Sequence, residues 1–308
     1  MLGKGGSHTG KKSKTDSKSA TAKGKEFTAT PMIATQTFSV TSLTSPRLTV
    51  GGPFVDCGCA LLSRQFDSDR EEVIDRAKDQ GCSSIITWFS DIDKQSQVSE
   101  MADRYNGYVY SLIGVHPDNI DKTNKKLHAN WLTKTEELAR KSTCVGILTG
   151  LNLGRENTNV YAMESLFLSS ISLASQLKLP VILHLSNDHL SFNRAIELLS
   201  ENGYIDDYNE GTEKTKDVKL VIHDAIFSSD SNPDLIQKAV LAGFYFSLSG
   251  HGICSQDGDE REAAAECLAL IPKDKLQVCS DSPWKTPQNL SDEFMRTQRN
   301  ESSKVWTI

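Results

Sequence analysis

Eight short hydrophobic runs, each followed by a longer amphipathic stretch, constrain this chain more than any other feature. The runs at 54–57, 84–89, 108–115, 144–148, 180–184, 220–223, 244–248 and 276–280 are rich in Val, Ile and Leu and read as strands. Between them, at 70–80, 94–105, 129–141, 161–177, 192–202, 233–242 and 261–271, apolar residues recur every three or four positions, the period of a helix with one buried face. The stretch 204–217 breaks this rhythm with several acids and Gly211, and reads as a solvent loop. Strands that are apolar on both faces belong to a parallel sheet covered by helices. Eight such units in about 250 residues predict an α/β fold, a closed (β/α)8 TIM-type barrel, rather than an open doubly wound sheet. No glycine-rich phosphate fingerprint follows the first strand, which lowers a nucleotide-binding alternative.

The barrel is expected over residues 51–308, behind a leader of different composition. Residues 1–50 hold eight Lys/Arg against two Asp/Glu, a net +6, which leaves −12 on the remainder of a chain whose total is −6. Lys, Ser, Thr and Gly dominate 1–30, too little apolar surface to offset the entropy of ordering, so a disordered basic leader is expected. Lys11, Lys12 and Lys14 also allow a nucleic-acid or nuclear-import arm. No apolar run approaches the roughly 20 residues needed to span a bilayer, so no membrane partner is expected. Seven cysteines, several within strand runs, and no secretory h-region point to reduced thiols and an intracellular protein, cytoplasmic or nuclear.

In a barrel of this kind chemistry sits at the carboxyl ends of the strands. His116, Thr149, Asn152, His184, His223, Asp224, His251 and Asp281 fall there. A single strand-end His is more often a hydrogen-bonded core residue than a ligand. Two on successive strands, His184 and His223, with Asp281 on the eighth, favour convergence on one cavity.

At these residues the chain resembles the TatD family of metal-dependent deoxyribonucleases. Gly114-Val115-His116-Pro117 is similar to the family's GVHP, and Leu179-Pro180-Val181-Ile182-Leu183-His184 to its LPV-x-x-H. His223-Asp224-Ala225-Ile226-Phe227 resembles its H-x-F with altered spacing, Ser280-Asp281-Ser282-Pro283 its TDSP, and Arg299-Asn300-Glu301 its RNEP. Five motifs in order, covering nearly the whole folded body, are specific where one alone is weak. The resemblance implies a barrel of the metal-dependent hydrolase superfamily that holds one or two divalent ions and cleaves phosphodiesters with a metal-bound water. It also implies helices continuing beyond the RNEP motif, so the C-terminal helices are expected to be short or truncated.

The departures fall on the chemistry. The family's first strand reads F-[IV]-D-x-H-x-H, and its two His places hold Gly58 and Ala60 here; the bridging Glu of its fourth strand aligns with Leu148. What the resemblance leaves as metal ligands is His184, His223 and Asp281, with Asp281 also the water-orienting catalytic residue. Cys57 and Cys59 would replace the missing His only after a one-residue slip, because alternation turns them toward the helices when 58 and 60 face the cavity. Asp56 reads as a structural residue beneath the site. Three readings stay open. The leading one is a divergent TatD-like protein, a pseudoenzyme candidate with weak or no nuclease activity. The second is an active hydrolase on a rearranged mononuclear site of His184, His223 and Asp281, helped by His116 or His251, with at most one Mg, Mn or Zn ion and DNA or a small phosphoester as substrate. The third is a barrel that binds nucleic acid or a protein partner without catalysis, with Arg64, Arg155, Arg194 and Lys285 as a basic rim. The polar leader offers nothing to a core, so truncation to Val50 is expected to leave the melting temperature within a few degrees of the full chain in a calorimetric scan.

Overall fold

The computed structural model describes residues 53–307 apart from 121–126, 156–158, 187–188, 207–213, 225–232 and 251–252. The leader expected at 1–50 and the candidate His251 therefore lie outside the described residues. Eight strands form one sheet in sequence order: β1 (Phe54–Cys59), β2 (Cys82–Thr87), β3 (Val109–Gly114), β4 (Cys144–Leu151), β5 (Val181–Leu185), β6 (Leu220–His223), β7 (Tyr245–Leu248) and β8 (Leu276–Val278). Each is parallel to the next. The connections are helices: α1 (Arg70–Asp79), α2 (Gln95–Arg104), α3 (Leu127–Ala139), α4 (Val160–Leu177), α5 (His189–Glu201), α6 (Pro233–Leu241) and α7 (Gly258–Ala269), with the five-residue α8 (Glu293–Thr297) after β8. Among the described residues no helix is long and apolar enough to cross a membrane.

The expected runs and the observed strands overlap in all eight cases, because a strand buried on both faces must be apolar throughout. Helix boundaries shift where a cap decides them. α7 begins at Gly258, not 261, because the Asp257 side chain accepts from the amides of Asp259 and Glu260 at 2.9 and 3.3 Å. α4 stops at Leu177 because Lys178 takes a left-handed φ of 56°, which turns the chain into β5.

Apolar side chains pack in two layers. Outside the sheet, Ile113, Ile147, Leu151, Val181, Leu183 and Ile222 meet the helices. Inside, Leu112, Leu148, Ile182 and Val221 fill the barrel, and Trp88 packs on them. Leu148, which stands where the resemblance places a bridging carboxylate, is thus part of the interior core and almost fully buried.

The barrel closes between β8 and β1. The Asp281 amide donates to the Gly58 carbonyl and the Ala60 amide to the Ser282 carbonyl, both at 2.8 Å. Beneath them the buried Asp56 carboxyl group spans the seam, accepting from the Ser280 amide at 2.8 Å, the Ser280 hydroxyl at 2.6 Å and the Gly58 amide at 3.1 Å. The register of β1 against β2 shifts between Asp56 and Cys59, so alternation is broken there. Phe54 and Cys59, five positions apart, both pack in the helix-facing cluster with Phe66 and Ile74.

The Arg299-Asn300-Glu301 motif locks this seam from outside. Arg299 pairs with Asp69 and lies over the Phe66 ring, while Glu301 receives Arg76 through two bonds of 2.8 and 2.9 Å. Between them the buried Asn300 amide donates to the carbonyls of Ser280 at 2.6 Å and Lys285 at 3.2 Å. These contacts yield a stability prediction: Asp56→Ala leaves the Ser280 and Gly58 amides unsatisfied, and is expected to cost about 3 kcal/mol in urea unfolding, with Asp56→Asn intermediate.

Candidate active site

Asp224 follows β6 directly and Asp281 lies three residues beyond β8; both are buried, with left-handed φ values of 44° and 50°. That conformation is strained for a residue with a Cβ, although Asp tolerates it better than most. Between the two carboxylates lies the ammonium of Lys285, itself at φ 54°. Lys285 Nζ is 3.0 Å from Asp281 Oδ2 and is ion-paired with Asp224 Oδ2. Asp224 also accepts from the Ser249 amide and hydroxyl at 2.8 and 2.6 Å.

The charges tune one another. Burial pushes the Asp281 carboxyl up, but the Lys285 ammonium and the His223 contact outweigh it and hold it at about 2. Burial likewise disfavours the charged form of Lys285, and the two carboxylates reverse this, raising it well above the ordinary lysine range. Lys285 is therefore a fixed cation, unsuited to act as a base.

His223 is engaged at both nitrogens, with Nε2 3.3 Å from Asp281 Oδ1 and Nδ1 3.0 Å from the Ser247 hydroxyl. The His184 ring lies 4.4 Å from that of His223 and 4.7 Å from that of His116, centroid to centroid. Its Nε2 is buried, with no hydrogen-bond partner among the described residues. Burial, then the neighbouring His223 and His116, hold the His184 pKa well below 6.5. Burial also lowers that of His116, whose Nδ1 accepts from the Asp118 amide at 3.3 Å.

Trp88, just beyond β2, caps the group. Its ring stacks on His116 at 5.8 Å and meets His184 edge-on at 4.7 Å and His223 at 5.9 Å. In the sequence Trp88 falls within the strand run 84–89, where periodicity assigns it no role. The signal that could have found it is a large aromatic side chain at a strand end of a barrel whose first strand is small at Gly58 and Ala60.

Structure therefore brings His184, His223 and Asp281 together, but with their donor atoms committed unequally. Both Asp281 oxygens are in use, one on His223 and one on the Lys285 ammonium. The first strand adds nothing: a Cβ on Gly58 would stand 2.8 Å from His223 Cε1 and 3.3 Å from Cys279 Cβ, so the space a ligand side chain needs is taken. Cys57 and Cys59 do not replace it. Burial pushes the Cys57 thiol up to about 12 and that of Cys59 further, and the Cys59 sulfur lies 2.9 Å from the Ser282 hydroxyl on the helix-facing side. Among the described residues no three His, Cys, Asp or Glu side chains are arranged to hold a metal ion. The residues present do not fit the divalent ion that the resemblance implies.

The proposed basic rim is also altered. Arg155 and Asn152 gather on Asp118, Arg194 is held by Glu164 at 2.7 Å and Glu197 at 3.0 Å, and Lys285 faces inward to its two carboxylates. These cations are neutralised within the protein, while Arg64 is exposed at the start of a 3-10 turn.

Comparison with known proteins follows the same residues. The family model described as TatD related DNase matches residues 55–308. Curated relatives include the 3'-5' ssDNA/RNA exonuclease TatD of Shigella flexneri, 27% identical over 257 residues, covering 81% of this chain and 86% of that protein. The protein of the same name from Yersinia pseudotuberculosis is 28% identical over 249 residues, covering 80% and 85%. Among solved structures, a TatD homologue from Escherichia coli shares the fold with a TM-score of 0.63 at 20% identity, over 82% of this chain and 86% of that one. A TatD family hydrolase from Entamoeba histolytica gives 0.61 at 21%, over 83% and 89%.

The depressed pKa values of His184 and His116 set a pH dependence. Both are held neutral in the fold and protonate near 6.5 when unfolded, so their contribution is complete above that pH and is lost as pH falls below it. Stability is expected to fall as the pH drops below 6.5. Urea midpoints at pH 7.5 and 5.5 check this, and His184→Gln should flatten the difference.

Proposed function

The chain belongs to the TatD-related DNase family, and on that premise we propose that it is a barrel of this hydrolase class whose metal-dependent nuclease activity is absent or severely reduced. One observation carries the reading: the Asp281 carboxylate is spent on His223 and on the Lys285 ammonium, 3.3 and 3.0 Å away. Activation of a metal-bound water requires a firmly held ion. Here the resemblance would need donors from Gly58, Ala60 and Leu148, none of which has one.

The relatives' names give single-stranded DNA or RNA as the substrate class, and the same class, or a small phosphoester, is the natural probe for this cavity. An acidic body argues against tight non-specific binding, since such binding draws on cations that neutralise phosphate. A second reading, a hydrolase using His184, His223 and Asp281 with at most one Mg, Mn or Zn ion, is favoured by the buried Nε2 of His184, which has no partner among the described residues.

Untagged protein incubated with single-stranded DNA and Mg2+ or Mn2+ is expected to show little digestion. Restoring the family pattern by Gly58→His, Ala60→His and Leu148→Glu should not by itself recover activity, because the new side chain at position 58 collides with His223 and Asp281 stays paired. Robust, EDTA-sensitive cleavage by the unmodified protein, abolished by His223→Ala, would put the mononuclear enzyme in place of this reading.

A further inference from the structure

The most unusual group at the barrel mouth is a lysine that bridges two strands' carboxylates. Asp224 and Asp281 reach it from β6 and β8, with side chains only 1% and 9% exposed, while the Lys285 side chain is 31% exposed. Two buried carboxylates converging on one point repel each other unless a cation stands between them. Three of the four non-glycine residues with positive φ among the described residues are these three. The backbone is thus held in costly conformations where they bring the charges together.

The arrangement excludes an anion site, because the three charges sum to −1. A tethered ammonium differs from a free ion in being always present, whatever the surrounding solution contains. We propose that Lys285 is a built-in cation that takes the structural part of a divalent ion between Asp224 and Asp281, making the fold independent of metal, and that removing its ammonium uncovers a cation site on the two carboxylates. This rests on the reading that metal chemistry is lost from the same cavity. The uncovered site offers carboxylate oxygens, which suit a hard divalent cation such as Mn2+.

Thermal unfolding of three proteins tests it: the unmodified chain, Lys285→Ala, and Asp224→Asn combined with Lys285→Ala, each in EDTA and in about 1 mM Mn2+. The unmodified chain should melt at the same temperature in both solutions. Lys285→Ala should melt about 5 °C or more lower in EDTA, regain most of that in Mn2+, and bind one ion per chain by Mn2+ electron paramagnetic resonance. The double variant has one carboxylate fewer, and should recover part of the loss in EDTA and respond little to Mn2+. The proposal fails if Lys285→Ala is as stable as the parent, if Mn2+ leaves its melting unchanged, or if the double variant is no more stable than the single one. Should Lys285→Ala not fold, a folded double variant upholds the proposal and an unfolded one overturns it. Stabilisation of the unmodified chain by Mn2+ would sink this inference but not the loss of nuclease activity. DNA cleavage by the unmodified chain would sink the proposed function while leaving the melting comparison to stand.

Discussion

A buried carboxyl group, Asp56, holds the two ends of the sheet together, and the geometry of the site depends on it. Seven strand pairings follow from neighbours in sequence, each joined by a helix, but the eighth contact must be made between the first and last strands of the chain. β8 is only three residues long and offers few ladder bonds of its own. Asp56 fixes the Ser280 backbone and side chain together, and the residue after Ser280 is Asp281. Closure of the barrel and aim of the site carboxylate are therefore one event. Burial raises the Asp56 pKa, a cost that its bonds to Ser280 and Gly58 offset in part.

From that seam the electrostatics of the mouth follow. Three left-handed residues cost about 1–2 kcal/mol each, so their retention requires interactions of comparable size. The paired charges supply these because they are shielded from water, where an exposed ion pair would contribute about 1 kcal/mol or less. Above the ion pairs, Trp88 and the three histidine rings form an aromatic lid over the interior leucine, isoleucine and valine layer. The mouth of the barrel is divided between a hydrophobic plug and a charge cluster paired within the protein.

How much of this was legible in the sequence depends on the range of the interaction. Strands and helices were readable because burial on two faces, or on one, leaves a periodic mark along the chain. His184, His223 and Asp281 stood out because each terminates such a run, and Gly58, Ala60 and Leu148 stood out as places without donors. The partner of Asp281 was not legible: Lys285 lies only four residues on, yet reaches back through a turn with left-handed residues that no periodicity encodes. Read alone, it looked like one more rim cation. Alternation along β1 gives the right faces for Gly58 and Cys59, while the register shift between Asp56 and Cys59 lets Phe54 share the helix-facing side with Cys59. That Gly58 is the steric complement of His223 emerges only in the folded barrel.

The clamp made by Asn300 has a consequence for how this molecule opens. The 3-10 segment Ser302–Thr307 and α8 are short, whereas the strands are covered on both faces. Displacement of the Asn300 side chain would free the carbonyls of Ser280 and Lys285, so a local opening around residues 299–301 reaches a loop about twenty residues earlier. The amides of Ser280, Asp281, Ser282 and Trp284 donate instead to Asp56, Gly58, Ser280 and Asp281, so the carbonyl side of this loop answers to Asn300 while its amide side answers to the barrel seam.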